Sequence, residues 1–130
     1  MELVQDVQGQ DRIVVHVVDD DEAVRESLVA VLFASGFESE TFNSAEDYLA
    51  LAPSNGDCLL LDVNMPGMSG LDLLQCLSEQ GQRTATIILT ANPDDRLRER
   101  AHQFGVIAFL TKPVAGSDLL EAITAATKGE

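Results

Sequence analysis

Basic residues are scarce in this chain. Among its 130 residues, Lys and Arg number 8 against 22 Asp and Glu, a formal net charge of −14. Such a charge repels phosphate backbones and anionic membranes, so direct nucleic-acid binding is not expected. Cysteine is scarcer still. Cys58 and Cys76 stand 18 positions apart with no CxxC spacing. They read as reduced cytosolic thiols, Cys58 inside a buried strand. Long apolar runs are missing, since a stretch such as Val106–Leu110 is far too short to span a bilayer. Ile13–Val18 is interrupted by His16 and lacks a signal-peptide layout. The chain shows no internal repeat, no low-complexity tract and no GxxxxGK[ST] phosphate loop. The expectation is a cytoplasmic protein without membrane contact. What is present is an ordinary globular mixture, 45% apolar and 23% charged, of a length that suits one domain.

The apolar pattern alternates between two kinds of segment. Met1–Arg12 is polar and aperiodic, which predicts a loose tail. Ile13–Val18 is β-branched and almost wholly apolar, the mark of a strand buried on both faces of a parallel sheet. After Asp19-Asp20-Asp21, the residues Val24, Leu28, Val31 and Leu32 recur at helical spacing up to Gly36. Glu38–Phe42 alternates weakly, as an edge strand does. Ser44 with Asp47 predicts a capping box, and Tyr48 and Leu49 face inward. Cys58–Leu61 is a second buried strand, ending in Asp62. Pro66 and Gly67 mark a turn, and Ser69 with Asp72 caps a helix carrying Leu71, Leu74 and Leu77. Thr86–Leu89 leads to Thr90, and a polar helix opens at Pro93-Asp94-Asp95. Val106–Leu110 leads to Thr111-Lys112-Pro113, and a last helix covers about 117–127.

Strand followed by helix, five times, predicts an α/β fold with helices on both faces of a five-stranded parallel sheet. The common topology for such units is flavodoxin-like (βα)5, strand order 2-1-3-4-5. Ligands then sit beyond the carboxyl ends of the strands, where the order reverses. Asp19 and Asp20, Asp62, Thr90 and Lys112 all leave strands at that end. Carboxylates gathered in one crevice suit Mg²⁺, and a lysine opposite them suits a phosphoryl group. Each residue alone has a plainer reading. Acids after a strand cap the next helix, and an Asp before a turn is a turn residue. Their combination at matched strand ends is harder to attribute to structure, because clustered carboxylates repel one another.

Four motifs carry a family resemblance over about residues 13–127. They are Val17-Val18-Asp19-Asp20-Asp21, the D-x-x-M-P-x-M-x-G run from Asp62 to Gly70, Ile88-Leu89-Thr90-Ala91, and Gly105–Pro113. In these the chain resembles the receiver domain of bacterial two-component response regulators. The wording around the first strand is similar to the nitrogen-fixation regulator subgroup. The resemblance implies that Asp62 accepts a phosphoryl group from a sensor histidine kinase or phosphotransfer protein. It implies Mg²⁺ on Asp20, Asp62 and the Asn64 backbone carbonyl, with Asp19 acting through water. Thr90 and Lys112 would bind phosphoryl oxygens, Thr90 and Phe109 would form the switch, and Lys112–Pro113 would be cis. Phosphorylation-dependent homodimerisation belongs to the same expectation. Ala108 and Asn92 depart from common family residues, which bears on dephosphorylation rate and partner recognition.

Two other functions compete. A Mg²⁺-dependent aspartate-nucleophile phosphatase wants Asp two residues after its nucleophile, where Asn64 stands. A receiver-like interaction module that is never phosphorylated would not need the intact acids, Thr and Lys. Elsewhere the plain readings are preferred: His16 as a satisfied core histidine, His102 as solvated, Met65 and Met68 as packing. Arg96, Arg98 and Arg100 form a charged helix surface, either for solubility or for docking. Seventeen residues follow Pro113, room for one helix. The expectation is a receiver domain over 13–127 after a tail over 1–12, with 128–130 its end or the start of a linker. Either it stands alone, or an output domain lies elsewhere.

Overall fold

The computed structural model describes residues 12–53, 55–82 and 84–128. Five strands alternate with five helices: β1 (Val14–Val18), α1 (Glu22–Ala34), β2 (Glu38–Phe42), α2 (Ala45–Leu51), β3 (Cys58–Asp62), α3 (Gly70–Glu79), β4 (Ala85–Thr90), α4 (Asp95–His102), β5 (Val106–Thr111) and α5 (Gly116–Lys128). All pairings are parallel, in the order β2-β1-β3-β4-β5. The expected topology is therefore present, and β3 lies at the centre. The tail expected over 1–12 falls, apart from Arg12, outside the described residues.

Side chains alternate across the strands and feed two cores. Val15, Val17, Leu60, Ile87 and Leu89 pack against Leu28 and Leu32 of α1 and Leu119 and Ile123 of α5. Val18, Leu59, Leu61 and Ile88 pack on the other face, against Tyr48 of α2, Leu71, Leu74 and Leu77 of α3 and Ala101 of α4. Every residue of β3 is buried, as its uninterrupted apolar run predicts. Each fully buried leucine contributes about 1.5–3 kcal/mol, so this double packing holds the carboxyl ends of the strands in place.

Helix starts follow the capping residues. The Asp21 side chain accepts the N–H groups of Ala23 and Val24, so of the three acids this one serves the helix. Ser69 and Asp72 form the reciprocal capping box. At α2 only one half of the expected box exists, the bond from Asp47 N–H to Ser44 Oγ. Ser44 enters with φ −158° where Ser69 has −79°, and this more extended entry orients its own N–H differently. The strand expected from Ile13 begins one residue later. Register shifts between β4 and β5, where Thr86 pairs with Val106 but Ile87 with Ala108. Ile107 is the extra residue of this bulge and is half exposed.

His16 is fully buried, as a satisfied core histidine should be. Its Nδ1 lies 2.9 Å from the Tyr48 hydroxyl and its Nε2 lies 3.2 Å from Asn55 Oδ1. The Asn55 oxygen assigns the proton to Nε2, leaving Nδ1 to accept from Tyr48. Gly56 lies so close that a Cβ there would meet the ring at 2.7 Å. Met65 is buried and Met68 packs against the same core, as expected for the pair.

Candidate functional site

The strand ends converge on one acidic crevice. Asp19 follows β1 directly and is buried, whereas Asp20 is exposed. The Asp19 Oδ1 accepts the Asp21 N–H at 2.9 Å, and its backbone carbonyl accepts a 2.7 Å bond from Arg25 Nη1. Asp62 ends β3, and its Oδ1 accepts the Asn64 N–H at 3.2 Å. Carboxylate oxygens of Asp19, Asp20 and Asp62 lie within 4.8 Å of one another. Lys112 arrives from beyond β5. Its ammonium stands 2.9 Å from Asp19 Oδ2 and 3.3 Å from Asp62 Oδ1. The Lys112–Pro113 bond is cis, as expected.

Lys112 also donates its backbone N–H to the Thr90 carbonyl at 2.9 Å, which ties the lysine to the end of β4. The Thr90 hydroxyl oxygen accepts the Asn92 N–H at 3.1 Å and keeps its O–H as a donor. A cavity of about 320 Å³ opens beside Thr90, with Asn64, Asn92 and Arg100 on its wall. Thus Asp19, Asp20, Asp62 and Lys112 meet directly, while Asn64 and Thr90 join through backbone bonds. Phe109 stands apart on β5, half-buried, with the Arg98 guanidinium 5.1 Å from its ring centre.

Charge balance defines what the crevice can do. Three carboxylates face one ammonium, so negative charge is left uncompensated. Burial raises the Asp62 pKa above the usual carboxylate range, and the neighbouring Asp19 charge raises it further. The Asn64 N–H and Lys112 oppose that rise without cancelling it. At Lys112, burial pulls the pKa down, but the bonds and charges of Asp19 and Asp62 outweigh it and the net direction is up. A crowded set of hard oxygen donors with surplus negative charge fits a divalent cation such as Mg²⁺.

Three contacts here had no signal in the sequence. Arg25 reaching the Asp19 carbonyl, Arg98 over Phe109, and Glu46 of α2 bonded to the Met68 N–H are each set by tertiary placement. Neither spacing nor residue type marks these partners.

A parallel sheet of order 2-1-3-4-5, with acids and a lysine gathered at its carboxyl edge, defines a receiver-type α/β module. The chain belongs to the response regulator receiver domain family, which matches residues 15–124. It is 41% identical over 112 residues to the transcriptional regulatory protein FixJ of Azorhizobium caulinodans, covering 85% of this chain and 53% of that protein. It is 42% identical over 113 residues to the transcriptional regulatory protein TdiR of Thauera aromatica, covering 86% and 50%. The chain thus spans about half the length of the curated relatives it matches. Among solved structures it resembles FixJ-N, with TM-score 0.82, 36% identity and coverage of 92% and 97%. It also resembles the chemotaxis protein CheY4 of Vibrio cholerae, with TM-score 0.83, 27% identity and coverage of 88% and 98%. As a receiver domain it is a signalling module of two-component systems. Among the described residues no helix is long and apolar enough to cross a membrane.

Proposed function

We propose that this receiver is switched by phosphorylation of Asp62, with a histidine kinase or phosphotransfer protein as donor. The observation that carries the reading is the convergence of Asp62, Asp19 and Lys112 within ion-pair distance at the switch point of the sheet. An Asp62 carboxylate oxygen forms the new P–O bond, and the P–N bond of the donor phosphohistidine breaks. The leaving imidazole keeps the electron pair and takes up a proton. A carboxylate is a weak nucleophile, but phosphoryl transfer asks mainly for alignment and charge neutralisation. Lys112 supplies one positive charge to the phosphoryl oxygens, and the Thr90 hydroxyl supplies a hydrogen bond.

Asp20, Asp62 and the Asn64 backbone carbonyl would hold Mg²⁺, with Asp19 acting through water. When bound, that ion neutralises charge on the equatorial phosphoryl oxygens. The chemistry ends at the domain's own aspartyl phosphate and its hydrolysis, so the chain acts as a signalling receiver and not as an enzyme on other substrates. The product carries roughly −2 where the carboxylate carried −1. Thr90 turning toward that charge vacates space that the Phe109 ring fills, which changes the α4–β5–α5 surface and self-association or partner docking there.

Incubation with acetyl phosphate and Mg²⁺ tests this. The intact mass should rise by one phosphoryl group that is labile to alkali, and Asp62→Asn should abolish the gain, since an amide is no nucleophile. Undiminished labelling of Asp62→Asn, or label at His16, would overturn the assignment.

A further inference from the structure

Glu46 sits in the first turn of α2, on a different element from every residue of the acidic crevice. Its Oε2 accepts the Met68 backbone N–H at 3.0 Å. Met68 belongs to the turn that follows Asp62 and carries Asn64. Among the described residues the other side-chain bonds to that turn come from the elements that flank it, Asp62 of β3 and Asp72 of α3, so this is the one from an element that does not adjoin it. The contact is built on a close approach. Gly67, beside Met68, has φ +78°, and a Cβ there would meet Glu46 Oε2 at 2.8 Å. Glycine therefore serves twice, adopting a left-handed conformation and leaving room for the carboxylate.

We propose that Glu46 is a positioning residue for the divalent-cation site: by holding Met68 it fixes the turn that presents the Asn64 carbonyl. The proposal rests on the reading above, in which that carbonyl is a cation ligand. The turn is anchored at its start by Asn64 N–H on Asp62 and by the buried Met65 side chain. It is anchored at its end by the Ser69–Asp72 capping box. Pro66-Gly67-Met68 lies between, and Glu46 supplies the hold on that stretch. A backbone ligand has no side chain of its own to orient it, so its aim depends on how the loop is held. Outer contacts that orient metal ligands typically change metal affinity by 10–100-fold when removed. The bond is also charge-assisted, hence stronger than a neutral one.

The test is Mg²⁺ titration by calorimetry on wild type, Glu46→Ala, Glu46→Gln and Asp20→Asn, with amide exchange at Met68 in metal-free protein. Glu46→Ala should weaken Mg²⁺ binding roughly tenfold, at the low end expected for such contacts. It should also speed Met68 exchange. Glu46→Gln keeps a carbonyl acceptor and should stay near wild type on both readouts. Unchanged affinity in Glu46→Ala overturns the proposal. Equal weakening in Glu46→Gln and Glu46→Ala overturns it too, because net charge and not the tether would then be responsible. Asp20→Asn separates the two readings. If it weakens binding while Glu46→Ala does not, only the tether fails. If it leaves binding unchanged, the cation site itself has been misplaced and the tether falls with it.

Discussion

Asp62 is the residue whose environment opposes its charge. Burial and the Asp19 carboxylate raise its pKa, so in metal-free protein the ionised form costs folding free energy. For an acid with a raised folded pKa, the favourable contribution is full below the unfolded value, about 3.9. It is lost as pH rises through the higher folded value. At pH 7 Asp62→Asn, a neutral amide, should therefore raise the thermal midpoint of metal-free protein. The gain should shrink as pH falls through the raised Asp62 pKa, where wild type takes up its proton. Melting curves at several pH values in chelator check this, and a lower Asn midpoint at pH 7 would contradict it. His16 gives a second case, of the opposite kind. Tyr48→Phe removes the donor to His16 Nδ1 and leaves a buried acceptor unpaired, which should cost about 1–3 kcal/mol in denaturant unfolding. The sequence placed His16 in a core because it stands among valines. Its partners Tyr48 and Asn55, 32 and 39 positions away, were not legible, since pairing at that range is decided by packing.

At the scale of elements, buried parallel strands announce themselves and irregularities do not. The unbroken apolar runs ending in Asp62 and Thr90 were enough to find β3 and β4, because no solvent-facing residue interrupts them. In a parallel sheet all carboxyl ends share one edge, so the residues that end or follow β1, β3, β4 and β5 (Asp19, Asp20, Asp62, Thr90 and Lys112) are legible there from the sequence. The bulge at Ile107 was invisible, because one extra residue in an apolar strand leaves the pattern intact while shifting the register. Capping was half legible: Ser44 and Ser69 both precede an Asp at the third helical position, yet only Ser69 closes the reciprocal box. Ser69→Ala should thus cost about 1 kcal/mol. The Ser44→Ala cost should be similar, since each change removes one accepted N–H bond and the residue 69 backbone N–H keeps its bond to Asp72 Oδ2. Paired denaturant unfolding curves check this, and a clearly larger loss at Ser69 would mean that the returning Asp72 bond depends on the serine hydroxyl.

Across the whole molecule, charge is distributed unevenly. Arg96, Arg98 and Arg100 are three of only 8 basic residues in a chain of net charge −14, and all three lie on α4. Arg98 holds its guanidinium over Phe109, so the helix surface and the aromatic on β5 are mechanically joined. A cation over an aromatic face contributes about 0.5–1 kcal/mol at an exposed site. That is small beside a stable fold, yet sufficient to bias a two-state side chain severalfold. If Phe109 moves inward on phosphorylation, it leaves this partner. Arg98→Ala should then ease the inward state and increase the response of α4 and β5 at a given level of phosphorylation. Amide exchange with and without acetyl phosphate and Mg²⁺ reads this directly. Changes are expected over Asp95–His102, Val106–Thr111 and the start of α5, larger in Arg98→Ala than in wild type. The opposite edge, Glu38–Leu51, faces away from Phe109 and should respond less. Changes confined to that edge would place the output elsewhere, whereas a response unaltered by Arg98→Ala would leave the cation–aromatic contact a matter of packing alone.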